Sequence, residues 1–319
     1  MVNKKSRPPF SSRPLLATKR PPAGGQERND TMEITTSRKF SKGKSAFENI
    51  ARLQNQICGS KDKDVIISFK ESKRYGQSFI FLLGCLTMLG AQEDKNVKLR
   101  LPERLEHKFR GMSILDYEKH STNGAHSFFQ IKDANDLIGL IQDNIQGVPI
   151  EMSDKLTETM VSLIAEIYNN ARDHSQSNYI IGGCYRKSRT KSHSHRFSLS
   201  CYDAGIGIIE SVAEYLLPIS RKDIEDILTP ELFQQRMLAW ALKRGNSTKG
   251  GPRGLGMSML LDFAKVNHGI VTICDQNILF QQLETGRRSY HIMPEPFRGC
   301  FFEIEIVDDP DRRYMLRGE

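Results

Sequence analysis

The apolar positions in the first half of this chain follow a strand, helix, strand order. Asp64–Phe69 and Val97–Pro102 are short runs typical of strands, and the longer apolar run Gln77–Leu89 between them is typical of a buried helix. Turn residues then interrupt the pattern before the next periodic segment begins. We therefore predict a small α/β module over residues 60–147.

The strongest helical periodicity lies at Asp154–His174, where a polar stripe runs beside an apolar one. Glu166, Asn170, Asp173 and His174 form the polar stripe, because residues four, seven and eight apart share one helix face. The apolar stripe recurs at three- and four-residue intervals and predicts the core-facing side: Leu156, Met160, Leu163, Ile164, Ile167 and Ala171.

Two interpretations of the polar stripe are open. On an ordinary surface helix such residues form a solvated face. Asn170 follows a second asparagine, however, and asparagine is unfavourable inside a helix because its amide competes for backbone hydrogen bonds. Glu166 stands one turn before Asn170, and this pair offers a carboxylate that can take a proton from water and an amide oxygen that can bind Mg²⁺. The stripe is therefore a candidate catalytic face.

A second motif follows a predicted strand that ends at Asp203. Gly205 and Gly207 permit a tight turn there, in which backbone can approach a flat ligand closely. A carboxylate at this place can accept a hydrogen bond from an exocyclic amine such as that of adenine. By itself, a D-x-G-x-G pattern is weak evidence, because chance matches are common.

A third motif is the Gly-rich loop 245–256, which opens another predicted helix. Free backbone N–H groups and the positive end of the helix dipole at such a place bind phosphate, and Lys249 and Arg253 add positive charge. No Gly-Lys-Ser/Thr ends the loop, so it is not a Walker A loop, and no β-α-β unit surrounds it as in a dinucleotide fingerprint. A flexible lid or linker without a ligand is the alternative interpretation.

In this order, the three motifs resemble the N, G1 and G2 boxes of the GHKL superfamily of ATPases and kinases. They read E-x-x-x-N-A-x-D-H from Glu166, D-x-G-x-G from Asp203, and S-T-K followed by G-L-G-M from Ser247 to Met257. The resemblance implies the α/β fold class: a two-layer α/β sandwich, the Bergerat ATP-binding fold, over residues 150–307. It also implies ATP and Mg²⁺ as cofactors.

The resemblance further implies a role for each matching residue. Glu166 matches the general base, and Asn170 matches the Mg²⁺ ligand. Asp203 matches the carboxylate that recognises adenine, in a pocket shaped by Gly205 and Gly207. The other matches are nucleotide-adjacent polar residues and the lid and phosphate loop: Asp173, His174, Thr248, Lys249, Arg253, Gly254, Leu255 and Gly256.

Other features indicate which members of the superfamily the chain resembles most. Cys300 lies in the predicted closing strand, where histidine-kinase-like members often carry Thr. A histidine autokinase is disfavoured, because no phosphoacceptor histidine on a helical hairpin is apparent before the ATP module. The single compact module looks most similar to the anti-sigma-factor serine kinases. Residues 64–117 resemble the STAS-type modules that are partners of those kinases, and an unrelated α/β module is the alternative.

These patterns predict a regulatory protein that binds Mg-ATP and acts as an ATPase or a serine/threonine protein kinase, with Glu166 as its catalytic residue. The alternative is a non-catalytic switch, in which ATP closes the 245–256 lid and exposes a surface for another protein. A protein partner or substrate is expected in both cases, and a homodimer is possible.

The net positive charge of the chain lies in its N-terminal segment. Residues 1–45 hold eleven Lys or Arg against three acidic residues, a balance of +8 that equals the net charge of the whole chain. We expect a disordered basic tail, through which alone the protein would bind nucleic acid or anionic membrane. A start at Met32 is another interpretation.

Residues 284–298 are expected to be an insertion and residues 308–319 a C-terminal tail. Six scattered cysteines without a C-x-x-C pair indicate reduced thiols and a cytoplasmic location.

Overall fold

The computed structural model describes residues 31–36, 43–70, 77–103, 105–106, 126–130, 151–177, 179–188, 195–217, 228–248, 254–308 and 313–314. The strands are β1 (Thr31–Thr36), β2 (Asp64–Phe69), β3 (Asn96–Arg100), β4 (His126–Gln130), β5 (Glu151–Met152), β6 (Ile180–Ser188), β7 (His195–Asp203), β8 (Ile270–Gln282), β9 (Arg288–Asp308) and β10 (Arg313–Tyr314). The helices are α1 (Lys44–Gly59), α2 (Gln77–Gln92), α3 (Asp154–His174), α4 (Gly207–Leu216), α5 (Pro230–Ala241) and α6 (Gly256–Val266).

The fold is mixed α/β, which confirms the predicted class. Five strands form an antiparallel sheet in the order β4-β6-β7-β9-β8, and three form a parallel sheet in the order β1-β2-β3. The strands β5 and β10 form a separate parallel pair. None of the helices in the described ranges is long and apolar enough to cross a membrane.

Helices α3 to α6 pack on one face of the antiparallel sheet. The predicted helix Asp154–His174 is confirmed as α3, and it begins where the Ser153 hydroxyl accepts a hydrogen bond from the Leu156 amide. Its apolar stripe is buried from Leu156 to Ile167, in one cluster with side chains of β7, β8 and β9. Because the apolar stripe faces the sheet, the polar stripe lies on the side of α3 that is directed toward α4 and α6.

Helices α1 and α2 lie between the two sheets. Helix α2 is apolar around its circumference, as is typical of a helix without a solvent face, and all the described side chains from Phe81 to Leu86 are buried. Side chains of α1 and α2 form one cluster with the parallel sheet and with the second face of the antiparallel sheet, including Tyr202 and Phe301. The antiparallel sheet therefore carries helices on both faces, one layer more than the predicted two-layer sandwich has.

Several boundaries differ from those the sequence predicts. Thr31–Thr36 falls inside the predicted tail but forms β1, and Ile34 is its one deeply buried apolar side chain. One such residue gives no detectable periodicity, which is why the strand is hard to predict. Strand β4 falls inside the predicted 60–147 module but pairs with β6, so the antiparallel sheet extends across the predicted boundary.

The predicted insertion at residues 284–298 and the predicted C-terminal tail also contain regular structure. Most of the 284–298 insertion belongs to the β8–β9 hairpin, because β9 begins at Arg288. Within the predicted C-terminal tail, β10 pairs with β5 just before α3, and Tyr314 is buried with its hydroxyl donating to the Val307 carbonyl. Residues 1–30 and 107–125, which include most of the expected tail and part of the STAS-like stretch, lie outside the described residues.

Candidate functional site

A cavity of about 570 Å³ opens between α3, α4 and the loop that precedes α6. Sites for cofactors and other small ligands typically measure about 300 to 1,000 Å³. Eight of the residues predicted from the three motifs line it: Glu166, Asn170, Asp173, Asp203, Gly207, Thr248, Gly254 and Leu255. Segments separated by up to about ninety positions in the sequence thus meet at one site.

The other predicted site residues fall into two groups. Gly205 and Gly256 lie beside the cavity and pack against residues that line it. His174 is the last residue of α3, and its side chain lies outside the described part of the structure, as do Lys249 and Arg253 entirely.

Asp203 is the buried carboxyl group at the end of β7. It is 5% exposed, and its Oδ1 accepts a hydrogen bond from the Gly205 amide at 3.1 Å. Burial raises the pKa of Asp203 to about 8, although hydrogen bonds from the backbone amides of Gly205 and Cys300 act in the opposite direction. A buried carboxyl group that lines a cavity can pair with a polar edge of a ligand.

The loop after Asp203 is fixed against the end of α3. The Ile206 amide donates to the Ser175 carbonyl at 2.9 Å. A Cβ atom on Gly205 would lie 1.8 Å from that same carbonyl oxygen, so only glycine allows this approach. The loop that carries Asp203 and the helix that carries Glu166 and Asn170 are therefore held in one arrangement.

Asp275 is a buried residue of this region that the motifs do not predict. Its Oδ2 accepts hydrogen bonds from the amides of Ile208 at 2.5 Å and Ile209 at 3.0 Å, and so caps the N-terminus of α4. Gly207, with φ +80°, lies against it, and a Cβ atom there would be 2.5 Å from Asp275 Oδ1. Burial raises the pKa of Asp275 to about 7. The one feature of the sequence that could indicate this role is the position of an acidic residue directly after the apolar start of a strand.

Two thiols form part of the cavity floor. Cys201 and Cys300 are buried on neighbouring strands and line the cavity beside Asp203. Cys300 pairs directly with Asp203 across β7 and β9, so the position at which the sequence differs from the histidine-kinase-like proteins that it resembles lies at the cavity. Burial raises the pKa of both thiols, which keeps them protonated at neutral pH. The five cysteines whose side chains the structure describes are all free: Cys58, Cys85, Cys201, Cys274 and Cys300.

Glu166 lies against the first turn of α6. A Cβ atom on Gly256 would lie 2.3 Å from Glu166 Oε2, so the carboxylate and the helix N-terminus are in close contact across a glycine. The positive end of the helix dipole favours a carboxylate or a phosphate at this position. Asn170 lies one turn further along α3 and is exposed to the cavity.

The Gly-rich loop has a closed base. The Gly245 amide donates to the Gly254 carbonyl at 3.0 Å, and the Asn246 side chain donates to the Trp240 carbonyl at 2.9 Å. Gly254 has φ +82°, and a Cβ atom on it would be 2.0 Å from the Asn246 carbonyl oxygen. The two ends of the loop are thus pinned together at the rim of the cavity.

The cavity has groups that could hold a nucleotide together with its metal ion. No group of three or more His, Cys, Asp or Glu side chains that could hold a metal occurs in the part of the chain that the structure describes. Mg²⁺ is commonly held by one or two protein oxygens together with phosphate oxygens of a substrate. The Asn170 amide oxygen can supply such a ligand, and the α6 N-terminus can bind the phosphates.

Comparison with known proteins does not assign the chain to a family: no protein-family model matches its sequence, and no curated protein matches it either.

Proposed function

We propose that this protein binds Mg-ATP in the cavity between α3, α4 and α6 and acts as a regulatory ATPase or serine/threonine protein kinase with a GHKL-type Bergerat fold. The observation that carries the proposal is the convergence of three separate motifs on one cavity of about 570 Å³. Each motif alone has an ordinary structural interpretation. Their meeting in one cavity favours a shared ligand.

In this proposal the cavity has an adenine end and a phosphate end. Asp203 accepts a hydrogen bond from the exocyclic amine, beside Cys201 and Cys300. Asn170 would hold the metal together with the phosphates, and bound Mg²⁺ would neutralise phosphate charge. The N–H groups at the start of α6 bind the phosphates.

Glu166 supplies the proposed chemistry. Its carboxylate lies beside the α6 N-terminus, where the terminal phosphate is expected, and it takes a proton from the attacking oxygen. That oxygen belongs to water in an ATPase and to a serine or threonine hydroxyl in a kinase. The same residue serves both reactions, so the site geometry favours neither acceptor.

The test compares Glu166→Gln with Glu158→Gln. Glu158 is an exposed residue two turns earlier on the same helix and does not line the cavity. We expect the wild type and Glu158→Gln to release ADP from Mg-ATP, and Glu166→Gln to bind ATP but lose at least about a hundredfold in turnover, the usual contribution of a general base. Equal turnover by the two variants would contradict the role of Glu166.

The closed base of the Gly-rich loop favours a second candidate, a nucleotide-gated switch without chemistry. The hydrogen bond between Gly245 and Gly254 holds the two ends of this segment together, so a change between them need not disturb the helices on either side. In that case nucleotide binding alone exposes a partner surface. Capture of a partner protein with a non-hydrolysable ATP analogue, together with equal inertness of wild type and Glu166→Gln toward ATP, would favour the switch.

A further inference from the structure

Helix α2 contacts the two segments that hold the adenine end of the cavity. Gln92, at the end of α2, donates from Nε2 to the Ala204 carbonyl at 2.8 Å. The Ser177 hydroxyl donates to Gln92 Oε1 at 2.7 Å. Ala204 directly follows Asp203, and Ser177 follows the end of α3, so one side chain joins both segments from outside the cavity.

Helix α1 makes a second polar contact behind the cavity floor. Gln54 is 0% exposed, and its Nε2 donates to the Tyr202 hydroxyl at 3.2 Å and to the Arg298 carbonyl at 3.1 Å. Its Oε1 accepts from the Arg298 amide at 3.0 Å. A buried amide whose donor and acceptor are both used in this way is directional, unlike the apolar packing around it.

The segment that Gln54 holds leads directly to the cavity floor. Gly299 follows Arg298 with φ +78°, and a Cβ atom on it would lie 1.9 Å from the Asp203 carbonyl oxygen. Cys300 comes next and lines the cavity. The backbone positions of Asp203 and Cys300 are therefore set from the far face of the sheet as well as from α3.

We propose that the upstream unit formed by β1 to β3, α1 and α2 regulates the nucleotide cavity, through Gln92 and Gln54 as positioning residues for the loop at Asp203. The inference rests on the proposed ATP binding and adds its regulation. Coupling between two sites is reciprocal: whatever shifts the upstream unit changes nucleotide affinity, and nucleotide must stabilise the upstream unit by the same factor. Passive packing of the two sheets does not predict that nucleotide stabilises the upstream unit.

The first measurement is ATP affinity, by calorimetry with Mg²⁺, for the wild type, Gln92→Ala and Asn96→Ala. Asn96→Ala is the matched control, because its side chain also makes a polar bond at the surface of the upstream unit, to Asp64 Oδ1 at 2.7 Å, but this bond lies within that unit. We expect about a fivefold weaker affinity for Gln92→Ala, a typical lower value for coupled sites, and no change for Asn96→Ala. Both variants should melt at similar temperatures.

The second measurement uses the unaltered chain and so does not depend on a variant folding. Amide hydrogen exchange is followed with and without a non-hydrolysable ATP analogue, and we expect added protection in residues 50–57 of α1 and 86–92 of α2. Protection restricted to the cavity, together with equal affinities of Gln92→Ala and Asn96→Ala, would overturn the regulation while ATP binding stands. Absence of ATP binding by the wild type would overturn the proposed function, and this inference with it.

Discussion

Replacing Gly205 by alanine tests how the adenine loop is held. The new Cβ atom would lie 1.8 Å from the Ser175 carbonyl oxygen, whereas ordinary contact begins at 3.4 Å, so the loop must move by about 1.6 Å. Overpacking of this kind costs about 1–3 kcal/mol. Loss of the hydrogen bond from the Ile206 amide to Ser175 adds about 1 kcal/mol. We expect a lower free energy of unfolding and, because the loop carries Asp203, weaker ATP binding.

Gly59→Ala is the matched control for this experiment. It makes the same chemical change at the end of α1, where no atom lies within 4 Å of the added Cβ atom. Urea unfolding followed by circular dichroism should show a clearly lower midpoint for Gly205→Ala, with Gly59→Ala within about 0.5 kcal/mol of the wild type. If the two variants have equal midpoints and equal ATP affinities, the close approach of the loop to α3 is not the constraint described.

Three further outcomes are expected. The pKa of Asp203 is raised by burial to about 8, so the folded state keeps a proton that the unfolded state releases near pH 4; stability should therefore fall as pH rises from about 4 to about 8. Asp203→Asn should show a flatter profile than the wild type in urea unfolding across this range. Asp275→Ala removes the cap of α4 and should lower the free energy of unfolding by about 1–2 kcal/mol in the same assay, whereas Asp275→Asn should recover part of that loss. Gly254→Ala forces a side chain into φ +82° against the Asn246 carbonyl, and it should raise the KM for ATP while exposed Asp262→Ala does not.

Several residues that line the cavity were predictable, because they lie in elements with strong local signals. The helix Asp154–His174 and the end of β7 at Asp203 agree with the apolar periodicity, and each motif lies next to such an element. Local pattern determines which residues share a face. It therefore predicts that Glu166 and Asn170 point the same way, as both line the cavity.

The unpredicted features depend on contacts between distant parts of the chain. Asp275 gains its role only because β8 lies beneath the start of α4, and nothing near it in sequence indicates that cap. Strand β1 gains its burial from α1 and β2 rather than from its own composition. In the same way, Gln54 is an ordinary polar position on an amphipathic helix until Arg298, 244 positions later, lies beside it.

The central claim is that the cavity binds ATP through Asp203. Calorimetric titration of Mg-ATP into the wild type, Asp203→Ala and Asp262→Ala tests it most directly, since Asp262 is an exposed carboxylate on α6 that does not line the cavity. Leaving one partner of a buried hydrogen bond unsatisfied costs about 1–3 kcal/mol, so we expect saturable binding by the wild type and Asp262→Ala, with affinity lowered at least about fivefold in Asp203→Ala. No saturable heat with the wild type, or equal affinities for all three proteins, would contradict the account.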